Sequence, residues 1–224
     1  MVSRGSYRFK DDVMSKKMRH PASTILIVIL SAIVLIALLF SGYLGTTIYG
    51  IYYLMDNTGT KYNLEITRDV NSYSVQIDLD HPENNTGRML YQQNGAKILI
   101  EKVYKKSIPT TGEAEQYIVR FQSVPIYSPS SGLFVSFYAR NYGNSGLVQL
   151  PLTEGHAKCS ISYNGKNYDS LFVTSDSGDQ LVGCGLFNHQ AIQDGALRNA
   201  HGTITFHVSH LLIYNWTKKV EGQY

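Results

Sequence analysis

Lys158-Cys-Ser-Ile-Ser-Tyr-Asn-Gly-Lys-Asn-Tyr168 is the stretch whose reading decides the fold. From Cys159 to Tyr163 apolar and polar residues alternate with period two, the pattern of a strand with one buried face. Asn164-Gly165 then supplies two residues that tolerate positive φ, so a type I′ turn and a returning strand are expected. The same alternation or β-propensity recurs outward in both directions. It marks Tyr62–Thr67, Tyr73–Leu79, Lys97–Tyr104, Gln116–Phe121, Leu133–Ala139, Leu147–Leu150, Ser170–Val173 and Thr203–Val208. Turn residues punctuate these runs at Asn94-Gly95, Asn141–Gly146, Asp176–Asp179 and Asp194-Gly195. Short strands separated by such turns predict an all-β antiparallel sandwich over residues 56–224, a length typical of one domain.

The N-terminal quarter has a different character. Ser23-Thr-Ile-Leu-Ile-Val-Ile-Leu-Ser-Ala-Ile-Val-Leu-Ile-Ala-Leu-Leu-Phe40 is uncharged, and no charged residue stands between His20 and Asp56. A membrane crossing needs ~20 mostly apolar helical residues. One N-terminal transmembrane α-helix is therefore expected, with its core at Ser23–Tyr43. Pro21 suits a helix start, where the first N–H groups are unused in any case. The 32 residues to Leu54 would span about 48 Å as one helix. The excess carries Tyr49, Tyr52 and Tyr53, beside Tyr43 at the end of the core. Tyrosine favours the membrane–water interface, so residues 44–55 are read as an interfacial extension.

Residues 1–22 hold six Lys/Arg against two Asp, a net of +4, and the rest of the chain is at −1; the overall +3 thus originates in the tail. Short basic flanks stay cytoplasmic. The expected organisation is a basic cytoplasmic tail (1–22), a signal anchor with its extension (23–55) and an extracytoplasmic domain (56–224). A cleaved signal peptide would have an apolar core of ~7–15 residues and small residues at the cut, and the run here is longer. A pilin-type leader would want its glycine or alanine and glutamate near Met18-Arg-His-Pro-Ala22, and these are missing.

Cys159 and Cys184 are the two cysteines. An even count in an exported domain is read as one disulfide; closing a loop of this length contributes roughly 3 kcal/mol in the chain-entropy model. Buried free thiols are the other reading. Asn84-Asn-Thr86 and Asn215-Trp-Thr217 are sequons, making Asn84 and Asn215 candidate glycosylation sites. Gly42, Thr46 and Gly50 recur every four residues, a spacing that lets helices approach closely, so they are candidate helix-contact residues.

From Lys97 onward the order of features resembles an immunoglobulin-like domain, and is similar to telokin-like extracytoplasmic domains of membrane-anchored prokaryotic proteins. The likeness is carried by Leu133-Phe-Val-Ser-Phe-Tyr-Ala-Arg-Asn-Tyr-Gly143, by Ser162-Tyr-Asn-Gly-Lys-Asn-Tyr168 and by the closing element Gly195-Ala-Leu-Arg-Asn-Ala-His-Gly-Thr-Ile-Thr-Phe-His-Val208. It covers at most half of the chain, and residues 60–96 have no counterpart in it. The resemblance implies an immunoglobulin-like β-sandwich and brings no catalytic residues.

Six histidines follow the apolar run: His81, His156, His189, His201, His207 and His210. On one strand His207 and His210 would face opposite sides. A copper site built on Cys184 would want a nearby Met, and none follows Met89. Asp176-Ser-Gly-Asp179 offers two carboxylates where Ca²⁺ wants six to eight oxygens. G-x-S-x-G, H-E-x-x-H, C-x-x-C and phosphate-binding loops are all missing from the sequence. No catalytic residue, metal site or cofactor is assigned. Nucleic-acid binding is not expected of a near-neutral domain outside the membrane. The expected function is that of a single-pass, non-enzymatic membrane protein whose partners are the lipid bilayer and other membrane proteins or itself. The alternatives are a structural subunit of a surface filament or envelope assembly, and an extracytoplasmic metal-binding or enzymatic domain.

Overall fold

The computed structural model describes residues 21–40, 43–107, 115–138, 156–173, 180–187, 191, 195 and 200–220. Two compact units divide the chain, Met1–Ser41 and Gly42–Tyr224.

The first unit contains α1 (Pro21–Phe40), a 20-residue uncharged helix. Its consecutive side chains from Ile25 to Leu30 are each at least half exposed, so the apolar surface runs right round the helix. Among the described residues no helix is long and apolar enough to cross a membrane. The expected crossing Ser23–Tyr43 is therefore unsupported by these residues. Nor does one helix continue to residue 55. After α1 come α2 (Tyr43–Tyr49) and α3 (Ile51–Asp56). They are separated by Gly50, whose φ of 58° no helix accommodates.

Beyond α3 the described residues of the second unit are mostly β-strand. Sheet A has the path β5 (Ile126–Tyr127), β6 (Ser131–Ser136), β11 (Thr203–Lys218), β7 (Lys158–Tyr163), β8 (Lys166–Asp169), with β1 (Tyr62–Asp78) also paired to β11. Sheet B has the order β2 (Met89–Gln93), β3 (Ala96–Ser107), β4 (Glu115–Val124), β10 (Leu181–Gly185), β9 (Leu171–Val173). Every strand pairing is antiparallel. The expected Asn94-Gly95 and Asn164-Gly165 turns form, each with positive φ at both residues. The two runs expected at 62–67 and 73–79 prove to belong to one long strand, interrupted by a register shift between Asp69 and Ser72. The expected strand at 147–150 and the turns at 141–146 and 176–179 lie outside the described residues.

Two corners join the sheets. Pro125, which has no N–H to offer a ladder, separates β4 of sheet B from β5 of sheet A. Ser170 separates β8 of sheet A from β9 of sheet B, and its hydroxyl donates to the Gly185 carbonyl at 2.7 Å. Between the sheets lies the main core, with Ile77, Ile161 and Phe206 of sheet A against Ile98, Val119 and Phe121 of sheet B. Phe121 spans the gap, 4.9 Å from Phe206 and 5.2 Å from Phe137 between ring centroids.

A second core lies on the other face of sheet A. It contains Ile51, Leu54 and Met55 of α3, Tyr62 of β1, Phe134 of β6, and Leu212, Tyr214 and Trp216 of β11. The switch between faces occurs within β11. Ile204, Phe206 and Val208 enter the main core. His210 sits at φ 62°, which resets the alternation. Leu211 then stays with the main core while Leu212, Tyr214 and Trp216 turn to the opposite face.

Candidate functional site

The second core makes the base of the sandwich. Leu54 and Ile51 are fully buried. A methyl group on Gly132 of β6 would overlap the Leu54 side chain, so the helix approaches the sheet there only because residue 132 has no Cβ. The end of α3 is held by side chains that satisfy its free carbonyls. Asn57 Nδ2 donates to the Tyr53 carbonyl at 2.8 Å, and Thr58 Oγ1 donates to that of Leu54 at 3.0 Å. Trp216 Nε1 donates to Thr58 Oγ1 at 2.8 Å, tying the last long strand to the helix cap. Tyr62 donates to the Pro129 carbonyl at 3.0 Å, and its phenol pKa is raised, chiefly by burial.

The candidate helix-contact residues are used here, within their own chain. Thr46 is buried, and its hydroxyl donates to the Tyr43 carbonyl. A Cβ on Gly50 would stand 3.2 Å from the Tyr127 ring. Close packing at these two positions serves α2, α3 and β5. Gly42 lies outside the described residues.

Cys159 and Cys184 are both buried and both free thiols. This corrects the expected bridge: the structure holds a thiol pair across the two sheets, not an S–S bond. They flank the Ser170 corner, where the Ser170 N–H donates to the Cys159 carbonyl at 3.1 Å and Cys184 pairs with Phe172 of β9. Burial pushes the Cys184 thiol well up, and its hydrogen bond to Cys159 adds to the shift. The protonated form is therefore strongly favoured, and these sulfurs are not poised as nucleophiles.

Both sequon asparagines are exposed, Asn84 in a 3₁₀ turn (Pro82–Asn85) and Asn215 on β11. Asn85 between them in sequence terms is buried, and it caps the free edge of β1: Asn85 Nδ2 donates to the Asp78 carbonyl while its oxygen accepts from the Asp78 N–H.

Two polar clusters went unnoticed in the sequence because their members are far apart in it or lie in a bulge. Asp69, buried at the register shift, accepts from the Asn71 N–H at 2.9 Å and from the Tyr73 hydroxyl at 2.7 Å. Burial, with Tyr73 and Asp69 nearby, pushes the Tyr91 phenol up to about 12. Such phenols stay protonated and donate hydrogen bonds, so this cluster shapes the bulge and does not shuttle protons. On sheet A, Ser162 Oγ donates to Asn167 Oδ1 at 2.7 Å and lies 2.9 Å from His207 Nε2. Among the described residues no three His, Cys, Asp or Glu side chains gather to hold a metal ion. No family model, curated protein or solved structure matches the chain.

Proposed function

We propose that the chain is a single-pass membrane protein whose α1 anchors a β-sandwich displayed on the extracytoplasmic side for protein–protein interaction, as an accessory subunit of a membrane complex. The observation that carries this reading is α1 itself, 20 uncharged residues with exposed apolar side chains all round the helix from Ile25 to Leu30. A helix apolar on every face has no stable place in water and belongs in lipid or in a large core. Lys16, Lys17 and Arg19 precede it, and basic flanks set the N-terminus inside.

The sandwich is the display scaffold, of the immunoglobulin-like kind that its closing segments resemble. The role of a filament subunit draws less support, since Thr46 and Gly50 pack inside their own domain.

The test is gentle detergent extraction of the full chain from its native membrane after an alkaline carbonate wash, then size separation and mass spectrometry of what co-migrates. Retention in the washed membrane with a stoichiometric partner is expected. Release by carbonate sinks the anchor, and a lone monomer sinks the subunit role.

A further inference from the structure

We propose that the base formed by α2, α3 and β5 rests on the surface of an anionic bilayer, so that the domain lies against the membrane and does not hang from a free tether. The inference depends on the reading that α1 is the anchor. It stands on three observations.

The first is a group among the exposed large apolar side chains of the second unit, which elsewhere include Val70, Met89 and Val220. Tyr49 is 64% exposed, Tyr52 41%, and Ile126 and Tyr127 each 43%. Tyr127 lies over Gly50, which brings its ring to the junction of α2 and α3, whereas Ile126, on the other face of β5, lies against Gly95 of the β2–β3 turn. Tyrosine has an apolar ring and a polar tip, the chemistry suited to the headgroup layer.

The second is charge. Lys61, Lys218 and Lys219 gather at the same end of sheet A. Lys218 pairs with Tyr62 in register, the Lys219 N–H donates to the Lys61 carbonyl at 2.9 Å, and Lys219 Nζ reaches the Gly59 carbonyl. Lys61 Nζ lies 3.1 Å from the Tyr53 hydroxyl. The carboxylate on α3 is Asp56, so the base is net positive, matched to anionic lipid.

The third is covalent. α2 begins at Tyr43 and α1 ends at Phe40. Three peptide units reach at most about 11 Å. A bilayer that holds α1 is therefore within reach of α2.

The experiment reconstitutes the full chain into phosphatidylcholine–phosphatidylserine vesicles carrying lipids brominated near the carboxyl end of the acyl chain. Trp216, the single tryptophan, is fully buried and gives the unquenched background. Tyr49→Trp and Tyr127→Trp place a reporter on the base. Lys166→Trp places one beyond the Asn164-Gly165 turn, at the opposite end of β11 from Lys218. The added fluorescence at 49 and 127 is expected to be roughly halved by bromine, as for residues at headgroup depth, with no change at 166. Vesicle flotation without quenching at 49 or 127 overturns the resting base while leaving the anchor standing. Failure to float overturns the anchor and this inference with it. Quenching at all three sites also overturns it, since it reports a domain without a fixed membrane-facing end.

Discussion

The two halves of β11 on either side of His210 use the same sheet in different ways. From Thr203 to Ser209 one face enters the sandwich core, and the other carries polar residues such as His207 beside Ser162. From Leu211 to Trp216 one face is buried against α3 and its neighbours, while the other meets the main core at Leu211 and Ile213 and is exposed at Asn215. The first arrangement is the ordinary economy of an antiparallel sandwich, hydrophobic in and polar out. The second makes the strand a central layer and turns α3 into part of the domain.

The strongest break in this comparison is Trp216→Ala. A buried tryptophan truncation costs about 3–5 kcal/mol, and here the Thr58 hydroxyl loses its donor. Denaturant unfolding of the full chain in detergent is expected to show one transition at lower midpoint, as for Ile161→Ala in the main core. Two transitions would mean that α3 and the sandwich unfold separately.

Gly132→Ala comes next. It overpacks the contact with Leu54, at a cost of roughly 1–3 kcal/mol. The double variant with Leu54→Ala is expected to lose less than the sum of the two single losses. Additive losses would show that the close approach seen here is not what residue 132 serves.

His210 sharpens the hinge between the halves. His210→Val puts a β-branched residue at φ 62° and should destabilise by about 1–2 kcal/mol. His210→Gly should be neutral or better, because glycine adopts this conformation freely. Equal losses in both variants would place the importance of His210 in its side chain and not in the backbone.

The smallest effect lies on sheet B, away from either half of β11. Glu101 accepts two hydrogen bonds from Arg120 in a bidentate pair, and the guanidinium holds its carboxyl below the usual carboxylate range. A depressed folded-state pKa contributes stability above the unfolded pKa and loses it as pH falls through the folded value. The pair is partly exposed, so Arg120→Met is expected to cost only about 0.2–1 kcal/mol at neutral pH. The gap between variant and parent should close in acid, followed as the unfolding midpoint against pH. A gap that persists below the carboxylate range would assign the loss to packing.

The main core was readable because its residues alternate. Cys159, Ile161 and Tyr163 announce a buried face by period alone, and Asn164-Gly165 announces its own turn by the φ values only such residues tolerate cheaply. The strands β2, β5 and β10 escaped notice, β5 being two residues long and β10 holding glycines at 183 and 185. β1 read as two strands because Asp69, Val70 and Asn71 interrupt the apolar alternation at the bulge. Of the candidate residues, Asn84 and Asn215 lie on the surface as sequon acceptors must. Thr46 and Gly50 pack within their own domain, against α2 and Tyr127.

The sequence by itself determined the local elements: an apolar helix without charge, strands of period two and turns of positive φ. These follow from steric limits and side-chain polarity within a few residues. Only the tertiary structure decided that Ile51, Leu54 and Met55 lie against Trp216 and not against lipid. Hydropathy records that a side chain avoids water, and a protein interior and a bilayer both satisfy it; choosing between them takes the partner surface, which here is built from Tyr62 nearby and from Phe134, Leu212, Tyr214 and Trp216 far along the chain.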